Sequence, residues 1–396
     1  MAWSFVSATV DVVDSRIVIA GAGVAGLEAL IALRRQADDD IAVTLVSPDR
    51  FFAHRALGHD QLLGGAEPVR GPDLVRIAGD LGVTLVADRV ARVLAGQHRV
   101  VLGGGEVLDY DALLLATGGL PYPAFAHGTG FEPSELKRLL SAVGAGAIDH
   151  LAIVVADHVG WTLPGYQLAL SAIARGRARG HDVAVTVITH EHTPLSAFGE
   201  SASRVVRALL ADEGIDVISG REPVVVTDGA LVAGRRWISA DAIVALPRLA
   251  GPRMPGVPSD RQGFVPTTGC GRVLWLDRVY AAGDATAGPV KQGGLAAQQA
   301  AAVADDIRWR FDAGPQSRPR ARVLRGVLET GRGPLFLEAV LGPGRAGEGS
   351  NASWEPLWSP PARVVTRWLG PYLEACGEAL SAAGTAAPQR PERASA

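Results

Sequence analysis

Cysteine is nearly missing from this chain: among 396 residues only Cys270 and Cys376 occur, far apart in the sequence. Two isolated thiols build neither the disulfide framework of a secreted scaffold nor a Cys-rich zinc cluster, so a reducing cytoplasm is the expected compartment. An excess of either charge is lacking too. With 38 basic and 41 acidic residues the net charge is −3, so no global field draws the chain to nucleic acid or an anionic membrane. Any such contact is local. The N-terminus lacks the basic start and cleavage site of a signal peptide, and residues 1–15 read as a short leader to the first strand. The one long apolar stretch, Ile17 to Leu33, is interrupted by Glu28 and by glycines at fixed offsets, which suits a strand and a helix better than a membrane span. His190 and His192 flank Glu191 without a third ligand at convincing spacing, so no metal site is expected. Glycine and proline, 48 and 25 residues, fall short of the roughly 25 to 30% of a low-complexity chain. The length suits two or three folded domains at roughly 150 residues each.

The strongest motif comes early. Arg16 to Ala20 is a β-branched apolar run, followed by Gly21-Ala22-Gly23-Val24-Ala25-Gly26 and then Leu27, Leu30, Ile31 and Leu33 at helical spacing. This is strand, tight turn, helix. In G-x-G-x-x-G the first Gly makes the turn, the second admits a pyrophosphate to the backbone, and the third lets helix and strand approach. The helix start adds unpaired N–H groups and partial positive charge. A second strand, Ile41 to Val46, ends where a carboxylate usually reads a ribose; here Ser47 stands there with Asp49 beyond Pro48. Either side chain reaches the ribose, or both are turn residues.

Further along, Leu113 to Leu115 runs into Ala116-Thr117-Gly118-Gly119, and Arg278-Val279-Tyr280-Ala281-Ala282-Gly283-Asp284 repeats the strand-then-Gly form. Lys291-Gln292-Gly293-Gly294 then opens an Ala-rich helix to Ile307. In this order and spacing the four elements resemble the two-dinucleotide-domain flavoprotein reductases, the pyridine nucleotide-disulfide oxidoreductase-like family, nearest the branch of type II NADH dehydrogenases and sulfide:quinone reductases. The resemblance spans about residues 15 to 310 and implies FAD. By the family pattern Gly21, Gly23, Val24, Ala25 and Gly26 approach its pyrophosphate, and Ala116, Thr117 and Gly118 close the first visit to the FAD domain. Asp284 beside Gly283 holds a ribityl hydroxyl, and Arg55 and Val90 join the cofactor contacts. Lys291, Gln292 and Gly293, at a helix start with free N–H groups, face the flavin and stabilise its reduced form, with Lys291 and Gln292 as the catalytic candidates.

A second strand–helix–strand pattern, Leu151 to Ala156, Tyr166 to Arg175 and Val183 to Thr189, reads as another Rossmann unit. Relatives that use NAD(P)H carry a Gly-rich turn here. This chain offers only Gly160 and Gly165, with bulky Trp161 where bare backbone is needed and Pro164 lacking an N–H. Gln167 takes the place of the Glu that follows that motif in NADH-using relatives. Glu191 either reads a ribose hydroxyl or is an exposed loop residue. Gly160, Trp161, Pro164, Tyr166, Gln167 and Glu191 are thus the candidate donor site. The cysteines that sulfide:quinone reductases use have no counterpart, nor is there a redox pair near the first helix, which leaves electron transfer by the flavin alone.

Beyond Ile307, Arg310 to Arg322 reads as a basic linker, and Trp354, Trp358 and Trp368 fall among Arg363, Arg367 and two prolines. Such a segment suits a membrane interface, or else a helix docked on the body or on a homodimer mate. The expected architecture is α/β, with two Rossmann-like, doubly wound dinucleotide-binding domains and a small C-terminal helical segment. The FAD domain is discontinuous over 15–122 and 262–310, the second domain covers 123–261, an interface segment 311–382, and a disordered tail 383–396. The expected activity is electron transfer from NAD(P)H through FAD to a quinone-like acceptor, in the cytoplasm or at the inner face of the plasma membrane. The alternatives are an FAD enzyme with a non-nicotinamide donor and a flavin-binding interaction protein.

Overall fold

The computed structural model describes residues 15–36, 41–52, 71–312, 318–342 and 345–378. Strand β1 (Ser15–Ala20) buries Ile17 and Ile19 in one core and Val18 and Ala20 in another, because the sheet it joins is covered on both faces. Helix α1 (Val24–Gln36) follows, then β2 (Ile41–Val46), α2 (Leu74–Asp80) and β3 (Thr84–Val86). An antiparallel meander, β4 (Val90–Leu94), β5 (Arg99–Leu102) and β6 (Val107–Asp109), precedes β7 (Ala112–Leu115). β8 (Leu120–Tyr122) then leads into a second unit that repeats this plan.

The repeat comprises α3 (Pro133–Gly144), β9 (His150–Val155), α4 (Leu163–Arg177), β10 (Ala184–Thr189), α5 (Gly199–Asp212) and β11 (Asp216–Ile218). Its own meander, β12 (Pro223–Thr227), β13 (Ala230–Ala233) and β14 (Arg236–Ser239), precedes β15 (Ala242–Ala245). β16 (Arg248–Ala250) returns beside β8 as an antiparallel pair. β17 (Val279–Ala281) then closes the first sheet, whose order is β17-β7-β1-β2-β3, all parallel. The second sheet has the order β11-β10-β9-β15, also parallel. In each sheet the chain reverses direction across one strand, β1 or β9, and a crevice opens at the carboxyl ends beside it.

Helix α6 (Gly293–Asp312) lies against α1 and carries buried Asp306, which accepts from Arg272 (Nε, 2.7 Å) and Tyr280 Oη (3.0 Å) and so anchors the helix to β17. The C-terminal part departs from the expected helical segment. A three-stranded antiparallel sheet, β18 (Arg322–Thr330), β19 (Gly333–Gly342) and β20 (Arg345–Ser353), precedes one short helix, α7 (Leu369–Ala375). The reason is burial on two faces. Leu324, Leu328, Leu335 and Leu337 enter the core of the second unit, whereas Val327 and Phe336 pack with Trp358 on the opposite side, and the turn after Thr330 reverses the chain. The expected tail, 383–396, lies outside the described residues.

Two glutamines hold the free edge of β18. Gln298 on α6 accepts from Val323 N–H and donates to its carbonyl, both at 2.8 Å. Gln167 on α4 does the same at Glu329, at 2.7 and 3.0 Å. Each amide stands in for a neighbouring strand, so β18 straps both units.

The Trp/Arg segment docks on the body. Trp358 is buried and donates to the Ala362 carbonyl at 3.0 Å, Arg363 pairs with Glu329, and of the three tryptophans Trp354 is the exposed one. Among the described residues no helix is long and apolar enough to cross a membrane. Buried Glu28 on α1 caps α7 from outside: its carboxylate accepts the N–H groups of Arg367 (2.8 Å), Trp368 (3.0 Å) and Leu369 (2.7 Å). Burial raises its pKa above the usual 4.5, and the three N–H bonds pull it back in part. Replacing Glu28 by Ala strands those donors and costs about 1–3 kcal/mol, read as a lower melting temperature. The raised pKa also fixes a sign. Ionisation of Glu28 is harder in the folded chain, so its contribution is full below the usual value and declines as pH rises through the raised one. The melting temperature of Glu28→Gln measured against wild type therefore climbs over that window.

Candidate functional site

The crevice beside β1 is where the chain's glycines concentrate. Gly21 leaves β1 with φ +106, and a Cβ there would overlap the carbonyl of Ala116 at the end of β7. Gly26 is equally constrained, since its Cβ would overlap the Gly21 carbonyl. Gly23 has no such neighbour. A Cβ at Gly23 would meet nothing of the protein within 4 Å, so no contact within the chain calls for glycine there. The need lies in what enters the crevice, at the N-terminus of α1 where unpaired N–H groups and the helix dipole favour an anion.

The distant pieces meet at this point. Ala116 N–H donates to the Ala20 carbonyl at 2.8 Å, and Thr117 and Gly118, the latter at φ +73, turn away at the crevice mouth. Gly283, at φ +75, packs between Ala25 of α1 and Ala296 of α6, and its N–H donates to Gln299 Oε1 at 2.6 Å. Asp284 follows in a 3-10 turn and lies close enough to Lys291 to act on its charge. Lys291 is buried, its Nζ over the Phe264 ring at 3.6 Å and hydrogen-bonded to the Thr286 carbonyl. Burial lowers its pKa to about 8, a shift limited by the carboxylates of Asp284 and Asp260. Gln292 caps α6 by accepting Leu295 N–H at 3.0 Å and donates to the Arg325 carbonyl, so it joins the helix start to β18.

Other expected residues stand differently. The Ser47 hydroxyl is buried in a local turn with the backbone of Asp49, which leaves exposed Asp49 as the available carboxylate at the end of β2. The Val90 side chain is buried in a core with residues of β1, β5 and β7. Arg55 lies outside the described residues.

Of the donor candidates, Gly160 sits under the Lys291 side chain and accepts its N–H at 2.7 Å. Trp161 packs on Phe198 with ring centroids 5.8 Å apart. Pro164 is buried in the first turn of α4, and the Gln167 amide is spent on β18. Glu191 is no exposed loop residue: it is 5% exposed and accepts from Tyr166 Oη (2.7 Å), Thr162 Oγ1 (3.3 Å) and Ser196 N–H (3.1 Å). Burial and the Glu191 charge raise the Tyr166 phenol well above its usual pKa. The sequence showed these residues but not their mutual saturation, since nothing in spacing says that Ser196 folds back onto Glu191. Missed altogether were Phe264 and Gln299, which no motif marks.

Among the described residues no three His, Cys, Asp or Glu side chains gather as a metal-binding set. Two parallel sheets, each with a Gly-bearing turn at its switch point, define a two-domain nucleotide-binding oxidoreductase. The model of the pyridine nucleotide-disulphide oxidoreductase family matches residues 15–304, and the chain belongs to that family of flavin-dependent oxidoreductases. It is 27% identical over 297 residues to a NADH dehydrogenase-like protein of Mycobacterium tuberculosis, covering 69% of this chain and 73% of the relative. A NADH dehydrogenase-like protein of Bacillus subtilis is 25% identical over 333 residues, 79% of this chain and 89% of the relative. The sulfide:quinone oxidoreductase of Aquifex aeolicus shares the fold, with a TM-score of 0.75 at 20% identity over 86% of this chain and 87% of that one.

The glycines of the first crevice separate by experiment. Gly26→Ala forces backbone apart and lowers the melting temperature of the chain, at a cost of about 1–3 kcal/mol or more. Gly23→Ala changes the thermal stability of the flavin-free chain by less than about 0.5 kcal/mol, yet its preparations carry less flavin than wild type, as measured by the ratio of visible to ultraviolet absorption.

Proposed function

We propose that this chain is an FAD-dependent oxidoreductase that carries two electrons from a reduced donor to a quinone-like acceptor. The observation behind it is the room at Gly23, flanked by two glycines that the protein itself needs. The acceptor reading draws on the Aquifex aeolicus likeness, a quinone oxidoreductase by name. Held in the crevice, FAD supplies the two-electron chemistry. The chain's part is binding, orientation and electrostatics. In the overall balance the donor loses two electrons, and the quinone-like acceptor takes two electrons and two protons to become a quinol.

Each residue then has a definable task. Gly21, Gly23, Val24, Ala25 and Gly26 present bare backbone and a helix start to the pyrophosphate. Asp284 would accept from a ribityl hydroxyl of bound FAD, and Ala116, Thr117 and Gly118 would present the end of β7 to it. Lys291, Gln292 and Gly293 at the start of α6 place positive potential where the reduced ring carries negative charge. For the donor, the names of the two bacterial relatives suggest NADH. The second turn, filled by side chains of the chain, favours a reading that keeps FAD and replaces the nicotinamide. A sulfide relay is not supported, since Cys270 precedes β17 and Cys376 ends α7.

The purified chain is expected to be yellow, with a flavin spectrum that dithionite bleaches; a colourless protein that refuses added FAD sinks the proposal. Lys291 gives a finer test. Its ammonium is charged below about pH 8 and neutral above it, so its support of the reduced flavin is present at lower pH and lost as pH rises through that value. A spectroelectrochemical titration is expected to show an inflection there in wild type and none in Lys291→Met.

A further inference from the structure

The two turns can be compared position by position, because the second unit repeats the first. α1 starts at Val24 after Gly21-Ala22-Gly23, and α4 starts at Leu163 after Gly160-Trp161-Thr162; Gly26 and Gly165 then fall at the same offset. Thr162 thus stands where Gly23 stands. In the first turn that position borders open space, whereas in the second it carries a side chain whose hydroxyl is bound to Glu191 at 3.3 Å.

What the first crevice leaves open, the second fills. Glu191 lies at the start of α4, holding Thr162 and Tyr166 of its first turn, and accepts Ser196 N–H as well. A helix N-terminus favours an anion, and here the chain's own carboxylate lies beside it, held by the Thr162 and Tyr166 hydroxyls and by Ser196 N–H rather than by the helix backbone. A pyrophosphate brought to the same place would meet that buried charge in a medium where repulsion is weakly screened. Backbone donors are also short: Pro164 has no N–H, and Gly165 N–H already donates to the Thr162 carbonyl at 3.1 Å.

The crevice is closed from three sides. Lys291 covers Gly160 from the first unit. β18 lies over the start of α4, where a Cβ on Gly326 would stand 2.7 Å from Phe198 and 2.8 Å from Leu163. On the β15 side, Leu249 N–H donates to the His158 carbonyl at 3.0 Å, and Arg248 ties Asp157 (2.8 Å) to Glu222 (2.7 Å).

We infer that the turn between β9 and α4 is closed to pyridine dinucleotides, with Glu191 as the internal anion in place of their pyrophosphate, so that the electrons of the proposed reaction come from a donor of another class. The last clause rests on the proposed function; the closure does not. The test is equilibrium dialysis of the full-length purified chain against ADP-ribose, NADH and NADPH, with anaerobic titration of the flavin band by NADH and NADPH alongside. The expected result is no saturable binding of any of the three below about 1 mM, and a flavin that stays oxidised with both nucleotides but bleaches fully with dithionite. Saturable binding in that range, or reduction by either nucleotide, overturns the inference. With FAD filling the first crevice, dialysis against ADP-ribose reads the second turn; in a colourless preparation, binding counts against the closure only if it persists in Gly23→Ala, and the lack of colour counts against the proposed function alone.

Discussion

Close approach of bare backbone at the end of β1 is the constraint on which the rest of the molecule depends. Gly21 must pass the Ala116 carbonyl and Gly26 must pass the carbonyl of Gly21, which fixes α1 against β1 and β7. With α1 so placed, Gly283 can wedge between Ala25 and Ala296 and bring α6 to the same crevice. Residues separated by more than half the chain thereby share one site. A methyl group at either glycine would push these elements apart.

The C-terminal region shows a second kind of dependence. β18 cannot stand alone with an unpaired edge, and it borrows partners from Gln167 on one unit and Gln298 on the other. Glu28, two residues past the third glycine, supplies the donors of α7 with an acceptor. Parts that bind no cofactor are thus tied to the helix that the cofactor motif begins. At the second turn, Gly160 and Gln167 tie the unit to Lys291 and to β18, while Thr162, Tyr166, Ser196 and Glu191 bond to one another.

The family and the first crevice were legible early, because Gly21, Gly23 and Gly26 obey a local rule: a tight turn at a helix start tolerates few residue types. Thr117, Gly118, Gly283 and Asp284 were singled out by resemblance to the family and not by a local rule. The hairpin after Arg322 was not legible, since its run of Leu, Val and Ala buries both faces and gives no alternation to separate strand from helix. Ser47, expected either at a ribose or in a turn, forms a turn with Asp49, and the Val90 side chain lies in a core.

By itself, then, the sequence determined the two parallel Rossmann-like units and the glycines of the first turn, because backbone sterics act over a few residues. Only the tertiary structure decided what Glu191, Gln167 and Lys291 do. Their partners, Ser196 and Thr162, Glu329, and Phe264 with Gly160, come from other elements. Which charges and amides a fold saturates is set by packing between elements, and spacing along one strand or helix carries no record of it.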